Sequence, residues 1–232
     1  ISILNKLGFM PVIIHGGGKR ISNRLDKAGI KSNFINGLRV TDEKSIGIVD
    51  EVLNNFNEEI TEALRNNNCD SEGITNRKNN VLIVYQENQE LGYVGTPKEI
   101  NQSIIENIVK KQKVPVIAPL GLDTNSQVFN INADTAAGAV AKKLNARRLI
   151  IISDVEGVLD DNKKLISEVD TIKINELIKN NIINGGMIPK IKNCLDVASN
   201  GVKGVCIIDG RLKHSILFEL LSNAGSGTLI RE

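Results

Sequence analysis

Three glycines follow a histidine at His15-Gly16-Gly17-Gly18, directly after the apolar run Pro11-Val12-Ile13-Ile14. Such a β-branched run reads as a buried strand, and a helix-like segment starts at about Lys19. Glycine has no Cβ, so a ligand can approach its backbone N–H groups. A strand, a glycine turn and a helix N-terminus in series can hold an anion, as phosphate-binding loops do. A tight strand-to-helix turn with no ligand is the plainer reading, and the motif alone fits both.

Two further stretches carry polar residues where chemistry could be done. In Phe129-Asn130-Ile131-Asn132-Ala133-Asp134, both asparagines point to one side of a strand end, and small residues follow. Asp134 reads either as a helix cap or as a site carboxylate. In Gly185-Gly186-Met187-Ile188-Pro189-Lys190, a glycine pair and a proline open a helix. The helix dipole disfavours a cation in that first turn, so Lys190 reads as a phosphate partner or as a solvated surface lysine. Three familiar sites are excluded. The dinucleotide pattern fails at Ile21, and the Walker pattern fails at Ile13. A lipase-like oxyanion hole would need a G-x-S-x-G elbow, which the chain lacks.

Strands alternating with helices must position these stretches. The expected fold class is α/β, a three-layer α/β/α sandwich around a mostly parallel open sheet. In such sheets ligands sit at the carboxyl ends of strands, which gathers Gly16–Gly18, Asn130–Asp134 and Asp154–Leu159. A hairpin is expected over 34–42 with Asn36-Gly37 as its turn. Thr41 or Asp42 should cap a helix over about 43–66, with Ile46, Val49, Leu53, Phe56, Ile60 and Leu64 on its apolar face. Residues 66–80 read as loop, 81–86 and 91–95 as strands, and 114–120 as one buried strand. The 232 residues suffice for one continuous domain of two lobes, 1–147 and 148–232. Net charge is +2 without a basic block, so neither nucleic acid nor a membrane surface is an expected partner. Cys69, Cys194 and Cys206 form no metal spacing or disulfide framework. A reducing compartment is expected, the cytoplasm or, for a plastid-encoded chain, the stroma.

Six stretches occur in order: His15–Gly18, Asn36-Gly37-Leu38-Arg39-Val40-Thr41-Asp42, Asn130–Asp134, Ser153–Asp160, Gly186–Lys190 and Ile208-Asp209-Gly210-Arg211. Together they closely resemble the acetylglutamate kinase branch of the amino acid kinase family, over essentially the whole chain. The resemblance implies a carbamate-kinase-like fold. It also implies transfer of the γ-phosphoryl group of ATP to the side-chain carboxylate of N-acetyl-L-glutamate, the second step of arginine biosynthesis. That acceptor is already an anion, so the site needs alignment and charge neutralisation rather than a general base. On this resemblance Gly16 and Gly17 donate N–H groups to the moving phosphoryl group and hold the acceptor. Arg39 would pair bidentately with the acceptor's α-carboxylate, and Asn130 would hydrogen-bond acetylglutamate. Asp134 would hold catalytic lysines in place, and Lys190 would stabilise charge on the phosphoryl group. Asp154, Val155, Glu156, Gly157, Val158 and Leu159, with Ile182, Ile183 and Asn184, would form the adenine and ribose edge. Mg2+ would arrive with ATP, held by phosphates and waters, with no tightly bound cofactor.

The family carries a Lys-x-Gly-Gly motif on its first strand, ahead of the helix that opens this chain at Ile1. The expectation is that an N-terminal piece is absent and that a second catalytic lysine lies in it. Glu219, Gly225 and Gly227 are similar to the arginine-binding segment of the feedback-inhibited branch; an ordinary amphipathic terminal helix is the alternative. A homodimer or a trimer of dimers is implied, and a PII-type signal protein is a conceivable partner. The alternative to a working kinase is an impaired arginine- or nucleotide-sensing or PII-binding member of the same fold.

Overall fold

A computed structural model describes residues 1–223 and 225–231. The chain divides into two units, Ile1–Ala136 and Ala137–Glu232. The division falls within the helix Ala133–Lys143, between Ala136 and Ala137.

The first unit contains α1 (Ser2–Lys6), β1 (Ile13–Ile14), α2 (Gly18–Lys27), β2 (Phe34–Ile35), β3 (Leu38–Arg39), α3 (Glu43–Asn66), β4 (Ser71–Ile74) and β5 (Leu82–Gln86). After a 3-10 turn at Gln89–Leu91 come β6 (Gly95–Ile100), α4 (Gln102–Lys110), β7 (Val114–Ile117), β8 (Leu120–Leu122), β9 (Val128–Asn130) and the start of α5 (Ala133–Lys143). A parallel sheet has the order β1-β7-β4, and a mixed sheet the order β6-β5-β8-β9. The hairpin β2–β3 turns at Asn36 and Gly37, both at positive φ, as a two-residue hairpin of opposite turn hand requires. Ile21 and Leu25 of α2, Val49 and Leu53 of α3, and Ala118 and Leu120 form one buried cluster. That cluster fixes α2, and with it the turn that α2 starts from.

Three expectations change. Residues 66–80 are not all loop, because Ser71–Ile74 pairs in parallel with Val114–Ile117. The expected strand over 91–95 holds only isolated bridges, from Gly92 to Thr41 and from Val94 to Asn130, and the strand proper is Gly95–Ile100. The run 114–120 splits into β7 and β8, with Pro119 between them, where no N–H is available for a ladder.

The second unit contains the rest of α5, β10 (Leu149–Ser153), β11 (Glu168–Val169), α6 (Thr171–Lys179), α7 (Met187–Ser199), β12 (Val205–Asp209), α8 (Ser215–Leu221) and β13 (Gly227–Ile230). Its sheet has the order β10-β12-β13-β11, parallel except where β13 runs against β12. β12 is buried along its whole length, the pattern of a strand covered on both faces. α7 and α8 pack against it. Among the described residues no helix is long and apolar enough to cross a membrane.

Candidate active site

The glycine stretch leaves β1 and runs into α2, with Gly17 at the N-cap and no side chain capping the helix. Neither Gly16 nor Gly17 donates its N–H to another group among the described residues. A Cβ on Gly17 would lie 2.6 Å from Leu53 Cδ2, whereas one on Gly18 would meet nothing within 4 Å. Gly17 is thus held against the core, and its backbone is the surface a ligand would meet.

Arg39 is brought to this loop by the β2–β3 hairpin. Its Nη2 donates to the Gly18 carbonyl at 3.0 Å and to Ser22 Oγ at 2.9 Å, and its Nη1 donates to Ser32 Oγ at 2.7 Å. The guanidinium also stacks 4.7 Å from the Phe34 ring centroid. Burial lowers its pKa and Asp26 opposes that, so a desolvated cation sits one bond from the glycine turn. Asn130 ends β9 with its Nδ2 3.2 Å from Thr41 Oγ1, and Thr41 is fully buried. The Thr41 carbonyl accepts from Tyr93 N–H at 2.7 Å, which only Gly92 permits: a Cβ there would lie 2.4 Å from the same oxygen.

The cap of α5 is Asn132, whose Oδ1 accepts from Thr135 N–H at 3.1 Å. Asp134 lies one residue inside the helix, where the dipole favours a carboxylate. The capping reading of Asp134 therefore gives way to Asn132. A cavity of about 330 Å³ in this unit is lined by Leu38, Glu87, Asn88, Leu91, Val94, Gly95, Thr96, Asn132 and Thr135.

In the second unit the expected nucleotide edge splits in two. Asp154, Val155 and Glu156 are exposed beyond the carboxyl end of β10. Gly157 and Val158 are buried, and Leu159 bridges to Leu165. Val158 N–H donates to Thr228 Oγ1 at 2.8 Å, and a Cβ on Gly157 would lie 2.6 Å from that oxygen. The inner half of the loop is thus tied to β13. Ile182 and Ile183 close the end of α6 through the Leu177 carbonyl, Ile183 is buried, and Asn184 is exposed. Lys190 sits half-buried in the opening turn of α7, after the uncapped Gly186.

Glu219, Gly225 and Gly227 come together. The buried Glu219 carboxylate accepts from Ser226 N–H at 2.8 Å and lies 3.5 Å from Arg148 Nη1. Gly225 is at φ 69°, and a Cβ on Gly227 would lie 2.0 Å from the Ile207 carbonyl. Burial, reinforced by Glu219, pushes the neighbouring Cys206 thiol up to about 12, so it is no nucleophile at neutral pH. Asp209 and Arg211 form a bidentate pair at the end of β12, which holds the carboxyl below its ordinary range.

The family model described as the amino acid kinase family matches residues 1–209. The chain belongs to the amino acid kinase family. It is 63% identical, over all of its length and 81% of the relative's, to an acetylglutamate kinase of Pelagibacter ubique (strain HTCC1062). Among solved structures it resembles smu.665 from Streptococcus mutans UA159 at 30% identity, with a TM-score of 0.86, over 98% of this chain and 88% of that one. A carbamate kinase from Giardia lamblia matches at 15% identity with a TM-score of 0.68, over 99% of this chain and 87% of that one. At that identity the likeness speaks for the fold alone.

In this member of the family the sequence pointed to Gly16, Gly17, Arg39 and Asn130 but not to what holds them. Thr41, within the Asn36–Asp42 stretch, fixes Asn130. Ser22 and Ser32 orient Arg39 and carry no sequence signal. His15 and Asn57 lie behind the glycine turn. Backbone N–H donors beside a buried arginine can align an anionic donor with an anionic acceptor, the requirement of phosphoryl transfer. Among the described residues no group of three or more His, Cys, Asp or Glu side chains could hold a metal ion.

Proposed function

We propose that this protein is an acetylglutamate kinase. It transfers the γ-phosphoryl group of MgATP to the side-chain carboxylate of N-acetyl-L-glutamate, giving N-acetyl-L-glutamyl 5-phosphate, a step of arginine biosynthesis. The observation that carries the reading is 63% identity along the whole chain to a protein of that activity.

The geometry of each unit supports the assignment of parts. In the first unit, the Gly16 and Gly17 N–H groups receive the oxygens of the moving phosphoryl group. Arg39, bonded to the Gly18 carbonyl, anchors the acceptor's α-carboxylate, and Asn130 orients the rest of the acceptor. Asp134 is the carboxylate that holds catalytic cations in register. In the second unit Lys190 supplies positive charge to the phosphoryl group, and Asp154–Glu156 with Asn184 face the nucleoside. Mg2+ is carried in on the phosphates, as expected for an ion that retains its waters.

The direct test supplies N-acetylglutamate and MgATP to the purified full-length protein and traps the acyl phosphate as its hydroxamate. Product formation is expected. Turnover of aspartate, glutamate or UMP in place of acetylglutamate would overturn the substrate. Calorimetric binding of arginine or nucleotide without any turnover would replace the enzyme with a sensor.

A further inference from the structure

The proposed function makes no use of His15, yet its hydrogen bonds end on the glycine turn. The side chain is 6% exposed. Its Nδ1 lies 2.9 Å from the Gly16 carbonyl oxygen, and its Nε2 lies 3.2 Å from Asn57 Nδ2. Asn57 Nδ2 is also 2.8 Å from the Val116 carbonyl. A carbonyl only accepts, so the Asn57 atom facing it must be the NH2 group. That NH2 gives its second hydrogen to His15 Nε2. Nε2 therefore accepts, Nδ1 carries the proton, and Nδ1–H donates to the Gly16 oxygen.

The peptide between Gly16 and Gly17 is planar and trans, so its C=O and N–H point in opposite directions. Holding the Gly16 oxygen on one side aims the Gly17 N–H to the other. We propose that His15 is a positioning residue for phosphoryl transfer. Its Nδ1–H draws back the Gly16 carbonyl so that the Gly17 N–H faces the transferred group, and Asn57 locks the imidazole in the tautomer that does this. The inference rests on the kinase reading above.

The surroundings favour a neutral ring. Phe56 of α3 meets the imidazole edge-on at 5.1 Å. The charged group facing it is Arg20 of α2, which lies 4.0 Å from the Phe56 centroid and is paired with Glu59. Burial first and Arg20 second lower the imidazole pKa against the pull of the Gly16 carbonyl. A proton on Nε2 would also face the N–H donor of Asn57.

The experiment compares His15→Asn, which keeps a donor near Nδ1, with His15→Leu, which removes it at similar volume. His15→Leu should lower kcat roughly 10- to 100-fold, the scale of one misaimed donor, with both KM values changed less than about 3-fold. His15→Asn should restore most of kcat. Equal kcat in the two variants, or a loss carried wholly by KM, overturns the proposal. A second measurement needs no variant and no turnover. The chain has two histidines, His15 and His214, so 15N-labelled histidine gives two resolvable rings. His15 should show the Nδ1–H tautomer; an Nε2–H tautomer overturns the proposal. Wild-type turnover of acetylglutamate tests the kinase reading separately.

Discussion

Gly17 and Gly18 are neighbours of one kind with different reasons to be glycine. A methyl group on Gly17 would press on Leu53 Cδ2 at 2.6 Å, and Leu53 is 1% exposed in the cluster that holds α2 to α3. The same methyl on Gly18 enters open space at the first residue of α2. Gly17→Ala should therefore cost about 1–3 kcal/mol by overpacking. For a chain of this size that lowers Tm by roughly 2–4 °C per kcal/mol. Gly18→Ala should leave Tm unchanged or raise it slightly. Thermal unfolding of both variants checks the contrast; equal Tm values would mean that Leu53 yields to the new methyl. A count of glycines in a motif cannot make this distinction, because the deciding contact comes from a helix far along the chain.

At the scale of elements, α3 shows what a sequence discloses and what it withholds. Its extent, Glu43–Asn66, follows from apolar spacing and from the Asp42 cap, whose side chain accepts from Ser45 N–H at 2.8 Å. The buried face follows only at Val49 and Leu53. Ser45, Val49, Leu53, Asn57 and Thr61 are the residues turned inward, while Ile46, Phe56, Ile60 and Leu64 are half-buried. The reason is close approach. Asn57 bonds the Val116 carbonyl, Ser71 Oγ bonds the Thr61 carbonyl, and a Cβ on Gly73 would lie 2.4 Å from Asn57 Oδ1. Short polar side chains let α3 lie against the backbone of β4 and β7, and an apolar periodicity cannot report them. The cap yields a prediction with a sign in pH. Hydrogen bonds from Ser45, its side chain first, hold the Asp42 carboxyl below its ordinary 3.8. A depressed folded value stabilises above the unfolded pKa and loses that contribution as pH falls through the folded one. Asp42→Ala should thus cost about 1 kcal/mol near neutral pH. The gap to wild type should close below about pH 4. Urea titrations at several pH values measure it, and a constant gap would assign the effect to something other than the cap.

At the scale of the whole chain, alternating strands and helices gave the α/β class and the mostly parallel pairing, because each buried strand announces itself by composition. Two short strands, Ser71–Ile74 and Gly227–Ile230, were hidden. Ser71-Glu72-Gly73-Ile74 is polar and forms a strand only because Val114–Ile117 offers it a ladder. Gly227, expected only as part of an arginine-binding segment, also opens the strand Gly227–Ile230, which runs antiparallel to β12 with Gly227 pressed on the Ile207 carbonyl. The division into two units carries a functional expectation that kinetics can separate. Arg39 belongs to the unit with the glycine turn and the cavity, and its guanidinium is fixed by Ser22, Ser32 and the Gly18 carbonyl. Asp154 stands exposed at the end of a strand of the other unit. Arg39→Ala should raise the acetylglutamate KM roughly 10- to 100-fold, the worth of a charge-assisted bond pair, and leave the ATP KM within about 3-fold. Asp154→Asn should raise the ATP KM about 3- to 10-fold, the difference between a hydrogen bond accepted by a carboxylate and one accepted by a neutral amide, and leave the acetylglutamate KM in place. Initial-rate measurements with each substrate varied in turn give both constants for both variants. A crossed pattern, with Arg39→Ala weakening ATP or Asp154→Asn weakening acetylglutamate, would mean that neither unit serves the substrate assigned to it.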